Sequence, residues 1–311
     1  MLSRIAGFSA AWLLAAVAVQ GWGAQAPFAV DEVAPGVFVH QGRIADLAEE
    51  NGGDIANIGF VVGERCVAVI DTGSTRRIGE ALLAALRART ELPVCYVINT
   101  HMHLDHVFGN AAFEGEAGVA FVAAARMPAS LSARAEGYLR TLDHEVGEAA
   151  EGTRAVYPTM LVEAEASLDL GGRTLTLRAW PTAHTDNDLT VFDERTRTLW
   201  TGDLLFERFV PIVDGSIRGW LDVIERLAKL PAARMVPGHG AIHLPGGAAL
   251  AAERGYLAGV ANTVRKAIGR GDSLRQVLDA EEGSAPAEWA LAERFHARNL
   301  SAAYTELEWE D

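Results

Sequence analysis

The sequence predicts an α/β fold from three observations. Short apolar, β-rich runs alternate with amphipathic helical stretches along most of the chain. Several of the strand-like runs stop at a histidine or an aspartate. The densest stop is Thr100-His101-Met102-His103-Leu104-Asp105-His106, where four of seven residues are metal-ligand types. The whole chain has nine histidines, so three in one short run is a concentration of the side chain that most often binds metals. Open α/β sheets place their sites outside the carboxyl ends of their strands.

The elements follow in order. Arg4 precedes an uncharged stretch from Ile5 to Val30, with an apolar heart, Ile5 to Val19, shorter than a membrane span needs. Ala24-Gln25-Ala26 follows, so residues 1–26 read as a secretory signal peptide; an uncleaved anchor is the alternative. Residues 31–71 hold several strands and a polar turn at 49–54. Residues 75–90 form an amphipathic helix with Leu82, Leu83 and Leu86 on one face. Val94-Cys95-Tyr96-Val97-Ile98 is a buried strand leading into the histidine run. Residues 122–150 read as a helical insertion, 159–202 as a second run of strands, and 218–229 as a helix. Residues 27–246 make one domain. Residues 247–311 extend it with helices broken near Gly269-Arg270-Gly271-Asp272 and Gly283-Ser284.

Extended chain at the end of the strand points His101 and His103 to one side. A turn from Leu104 brings Asp105 and His106 to neighbouring points. One metal takes the first two imidazoles and a second takes the carboxylate and the last imidazole, at about 2.0–2.2 Å if zinc. Further candidates each follow a strand-like run: His184 in Pro181-Thr182-Ala183-His184-Thr185, Asp203 in the turn Gly202-Asp203, and His239 in Pro237-Gly238-His239-Gly240. Asp71 ends Val69-Ile70-Asp71. His40, His144, His243 and His296 read as loop residues.

His-x-His-x-Asp-His, followed by a lone His, a lone Asp and a Gly-His, resembles the metallo-β-lactamase superfamily from about residue 30 to 245. The resemblance implies an αββα sandwich with two zinc ions between its sheets. It assigns His101, His103 and His184 to metal 1, Asp105, His106 and His239 to metal 2, and Asp203 to both. It makes Asp71 a support for a ligand imidazole, and Asp105 a catalytic group that holds or shuttles the proton of the attacking hydroxide. The implied activity is cleavage of an ester, thioester or lactam-like bond in a small molecule. The alternatives are an iron-dependent, persulfide dioxygenase-type oxidoreductase and a non-catalytic accessory metal protein. The stretches His40-Gln41-Gly42-Arg43, Gly202-Asp203-Leu204-Leu205-Phe206, Val213-Asp214-Gly215-Ser216 and Asn299-Leu300-Ser301-Ala302-Ala303-Tyr304 are similar to exported members associated with periplasmic quinoprotein or sulfur-oxidation systems. Phe206, Phe209 and Trp220 are candidates for an apolar wall near metal 2.

Acidic residues outnumber basic ones, 41 to 27, for a net charge of −14, and there is no basic tract. That argues against nucleic-acid binding, and against large anionic substrates. The C-terminal helices show no clear basic cluster. Cys66 and Cys95 are the only cysteines. With Ile70 aligned on Ile98 they fall on opposite sheet faces by parity, which predicts two free buried thiols. The expected location is periplasmic or secreted.

Overall fold

A computed structural model describes residues 28–242 and 247–310. The leader prediction for residues 1–26 and His243 lie outside them. Among the described residues, no helix is long and apolar enough to cross a membrane.

The first sheet has seven strands in sequence order: β1 (Asp31–Ala34), β2 (Val37–His40), β3 (Ile58–Val62), β4 (Val67–Ile70), β5 (Val94–Ile98), β6 (Ala120–Ala124) and β7 (Met160–Val162). Strands β1 to β4 pair antiparallel, and β4 to β7 run parallel. The helix α1 (Arg76–Arg87) provides the crossover between β4 and β5. Thr75 caps it by accepting the amide of Ile78, and Ile78, Leu82 and Leu86 pack on the outer face of the sheet. A short α2 (Leu104–Val107) follows β5, and α3 (Met127–Val146) follows β6. Residues 122–124, read as helical from sequence, finish β6 instead. Their apolar residues pair with β5 and β7, and the helix starts only at Met127 with Pro128 in its first turn.

The second sheet contains β8 (Glu165–Asp169), β9 (Thr174–Ala179), β10 (Leu189–Asp193), β11 (Thr198–Phe206) and β12 (Arg234–His239), in the order β12-β11-β10-β9-β8. The helix α4 (Ile217–Leu227) connects β11 to its parallel neighbour β12. Ile70, Ile98 and Val122 from one sheet meet Leu177, Val191 and Trp200 from the other in a shared core. The buried Arg173 adds a polar clamp: it binds both carboxylate oxygens of Asp193 and donates to the carbonyls of Pro35 and Val62.

The chain ends in α5 (Ala248–Arg270), α6 (Leu274–Ala280) and α7 (Ala292–Leu307). Leu257, Val264, Leu300 and Ala303 join Trp220 and Ile224 of α4 in one core on the outer face of the second sheet. The C-terminal helices therefore share a core with α4 and complete an α/β/β/α layering.

The cysteine prediction is corrected. Cys66 and Cys95 form a disulfide, with Cα atoms 5.7 Å apart. Ile70 does align with Ile98, but Val67 pairs with Val94 and Ala68 with Tyr96. Cys95 is thus an extra, bulged residue, and the bulge inverts the parity below Ala68 and turns both thiols to one face.

Candidate metal centre

The loops after β5 and β9, the interior of β11 and the last residue of β12 converge in one place. Metal-binding atoms of His101, His103, His184 and Asp203 all lie within 4.8 Å of one another, as do those of Asp105, His106 and His239. These seven residues are the ones read from the sequence, in the same two groups. His103 Nδ1 lies 3.1 Å from His101 Nε2 and 2.9 Å from His184 Nε2. Asp105 Oδ2 lies 3.2 Å from His239 Nε2 and 3.5 Å from His106 Nε2. Asp203 reaches both groups: Oδ1 is 3.2 Å from His106 Nε2, and Oδ2 is 3.4 Å from His184 Nε2 and 3.5 Å from His239 Nε2.

Each imidazole has its outer nitrogen fixed. His184 Nδ1 donates to the Ile212 carbonyl at 2.7 Å and His239 Nδ1 to the Ile55 carbonyl at 2.8 Å. His106 Nδ1 faces Asp71 Oδ2 at 2.9 Å, and His103 Nε2 faces Asp214 Oδ2 at 2.9 Å. His101 Nδ1 meets the Thr100 hydroxyl at 3.1 Å. That hydroxyl donates to Asp71 Oδ2, and the Thr100 amide donates to Asp71 Oδ1. Asp71 adopts φ +51, a left-handed conformation that short polar residues tolerate and that concentrates at functional sites. Partners of this kind set the tautomer and aim the opposite nitrogen at a metal.

The backbone is shaped to the cluster. Asp203 lies inside β11 rather than just past it, where the sequence reading put it, and His239 is the last residue of β12. The register between these strands shifts on either side of Gly202, so the strand can carry a ligand before it ends. Gly202 has φ +52, and a Cβ there would sit 2.5 Å from Thr100 Oγ1. A Cβ on Gly238 would come within 1.8 Å of Asp203 Oδ1, so only glycine fits beside that carboxylate.

The donor set fits a pair of divalent cations. His106 Nε2 and Asp203 Oδ1 are buried with no hydrogen-bond partner, despite their closeness. Unpartnered buried polar atoms are costly unless something else satisfies them, and here they point toward a shared centre. Electrostatics divides the two groups. Burial holds His101 well below the usual imidazole range, helped by the neighbouring His106, and takes His184 down to about 3. Burial also acts on His106 and His239, but the carboxylates outweigh it. Asp203, Asp105 and Asp71 lift His106 well above its usual value, and Asp203 and Asp105 lift His239 to about 9. Burial opposes ionisation of Asp105 and Asp203, yet the adjacent histidines hold both well below the ordinary carboxylate range.

Aromatic rings close the sides. Phe206 stacks on His239 with centroids 5.2 Å apart, and Phe209 lies 4.8 Å from the same ring. Trp220, placed near metal 2 by the sequence reading, packs instead on His184 at 5.1 Å. His40 is a strand residue bonded to Asp54, and His144 and His296 lie on α3 and α7, so none is a loop residue and none joins the site. Two groups escaped the sequence reading. Asp214, quoted there only within a motif, supports His103. Arg294 and Arg298, one turn apart on α7, line the pocket over the centre.

An α/β/β/α layering with this ligand set between its sheets defines a class of metal-binding enzymes. Residues 51–239 match the metallo-beta-lactamase superfamily, and the chain belongs to it. Similar solved structures include a metallo-beta-lactamase from Pontibacter korlensis, at 21% identity and TM-score 0.59, covering 74% of this chain and 98% of that one. TMB-1 is similar at 22% identity and TM-score 0.57, covering 74% and 97%. A double mutant of the sec-alkyl sulfatase PisA1 aligns at 18% identity and TM-score 0.64, covering 89% of this chain but 49% of that one. At these identities the likeness is one of fold. No curated protein matches the sequence.

Proposed function

We propose that the protein is an exported, zinc-dependent hydrolase of a small ester, thioester or lactam-like bond. The convergence of seven donor atoms, each imidazole locked by a partner on its far side, is the observation that carries this reading. A bound zinc pair supplies a water acidic enough to act as a nucleophile near neutral pH and a Lewis acid for the substrate oxygen.

The chain's own residues do the rest. Asp105, whose side chain is more open than that of Asp203, faces the pocket and accepts the proton lost by the attacking water. Its ionised state at neutral pH suits that role. Asp203 and the imidazoles of both groups keep the reacting centre rigid, so little reorganisation accompanies the reaction. Phe206 and Phe209 exclude water behind His239. No serine or cysteine nucleophile is needed. Export is supported by the apolar leader and by the Cys66–Cys95 disulfide, a bond that persists in oxidising compartments.

Elemental analysis of the purified protein, followed by a panel of aryl esters, thioesters and β-lactams, tests the reading. Two zinc per chain and turnover of one substrate class are expected. Iron as the bound metal, with oxygen uptake on a persulfide and no hydrolysis, would overturn it.

A further inference from the structure

The pocket above the metal centre has a volume of about 230 Å³. Ligand carboxylates and imidazoles form its floor, and Leu47, Leu104, Phe209, Ile212 and Phe295 give it apolar walls. Its mouth carries three arginines, Arg134 from α3 and Arg294 and Arg298 from α7. Their side chains are 40%, 59% and 50% exposed, so the guanidinium groups sit between pocket and solvent.

Three cations around one small opening run against the charge of the whole protein, −14. Two carboxylates outside the ligand set answer them. Asp214 binds both Arg134 and Arg298 while also holding His103, and Asp46 pairs with Arg294. One positive charge is left over at the rim. Each guanidinium carries five N–H donors in a planar fork suited to a carboxylate; Arg134 also shares a hydrogen bond with Tyr138, which leaves Arg294 and Arg298 as the more open pair. The acidic surface elsewhere makes this mouth a local reversal of field, and such a reversal focuses anions into the cleft. Arg294 and Arg298 also lie beyond the residues that match the superfamily, so the helical extension, not the shared core, contributes them.

We propose that Arg294, Arg298 and Arg134 form an anion-binding rim that selects substrates bearing a carboxylate a few bonds from the scissile group, joined to it by an apolar body. The inference rests on the hydrolase reading for what happens to the substrate, but not for how the substrate is held. It reverses, for small substrates at this site, the expectation that an acidic protein repels anions.

The test compares two esters with one leaving group: the mono-p-nitrophenyl ester of glutaric acid and p-nitrophenyl pentanoate, each corrected for its uncatalysed rate. For the metal-loaded protein, kcat/KM should favour the carboxylated ester by roughly ten- to hundredfold, the usual worth of a charge-assisted hydrogen bond. In the double variant Arg294→Gln/Arg298→Gln that ratio should fall to about one, chiefly through KM. The double lysine variant, which keeps the charge but loses the fork, should fall in between. Calorimetric titration with glutarate and with pentanoate gives a readout independent of turnover, and the wild-type protein should bind glutarate more tightly. Hydrolysis of both esters with a wild-type ratio near one would overturn the rim and leave the hydrolase standing. So would a ratio that survives the glutamine double variant. Absence of hydrolysis, with arginine-dependent preference for glutarate, would retain the rim and remove the hydrolase reading. Equal binding of the two acids would overturn the rim whatever the turnover.

Discussion

The half of the centre formed by His101, His103 and His184 has no carboxylate ligand beyond the shared Asp203, and Asp214 backs His103 from outside. The half formed by His106 and His239 contains Asp105 and is backed by Asp71. Both halves are buried, so the carboxylates decide the difference. In the first half, burial leaves His101 and His184 neutral at any moderate pH. In the second, carboxylates keep His106 and His239 protonated until the solution is well into the alkaline range. The first half is therefore prepared for a cation, whereas the second must give up protons to take one.

Removing what the halves share should have the largest effect. Asp203 contacts ligands on both sides, so Asp203→Ala should lower metal content to at most one ion per chain and abolish hydrolysis. Retention of both metals on elemental analysis would refute its assignment. The same variant in the metal-free protein should lower the His239 pKa from about 9, since Asp203 is the largest contributor raising it.

Acidity should separate the halves. Each proton displaced on binding weakens apparent affinity about tenfold per pH unit below the pKa of the group that holds it. Zinc affinity of the second half should therefore rise steeply from pH 6 to 9, while that of the first half gains far less. Competition with a chromophoric chelator across that range reads both steps, and parallel slopes would contradict the contrast. Stability of the metal-free protein has a matching signature. His239 is raised, so its contribution is complete below pH 6.5 and disappears as pH climbs through about 9. His184 is lowered, so its contribution is complete above pH 6.5 and disappears as pH falls toward about 3.

Smaller effects should follow from the supports. Asp71→Asn weakens the partner of His106 and should reduce zinc affinity by about 10- to 100-fold, mainly in the second half. Equal losses at both halves would mean that Asp71 acts through Thr100 and His101 as much as through His106.

The ligands were legible because they are local: strand-like runs end in histidine or aspartate, and spacing alone brings His101, His103, Asp105 and His106 together. Asp71 was legible as the end of a strand-like run, whereas its supporting role followed from the family resemblance and not from spacing. What stayed hidden depends on distant contacts. Asp214 meets His103 across 111 positions of sequence, and nothing in Val213-Asp214-Gly215-Ser216 reveals that meeting. Arg294 and Arg298 look like any exposed pair a helical turn apart until α7 is packed over the pocket mouth. The disulfide was hidden by one residue, since parity arguments hold only along an unbroken ladder and Cys95 breaks it.

That disulfide provides the mildest test. It joins β4, whose end carries Asp71, to β5, whose end carries the first four ligands. The cross-link lies in the core between the sheets, behind the bulge, while Ile70 and Ile98 keep regular pairing next to the site. Cys66→Ser/Cys95→Ser should lower unfolding stability by about 2–4 kcal/mol, chiefly by freeing the unfolded chain. Zinc affinity at either half should change little, because Asp71 remains tied to Thr100 by two hydrogen bonds of its own. Denaturant unfolding and the chelator assay on one preparation measure both. Selective loss of the second zinc would show that the cross-link positions Asp71, making the support of that half longer in range than its hydrogen bonds imply.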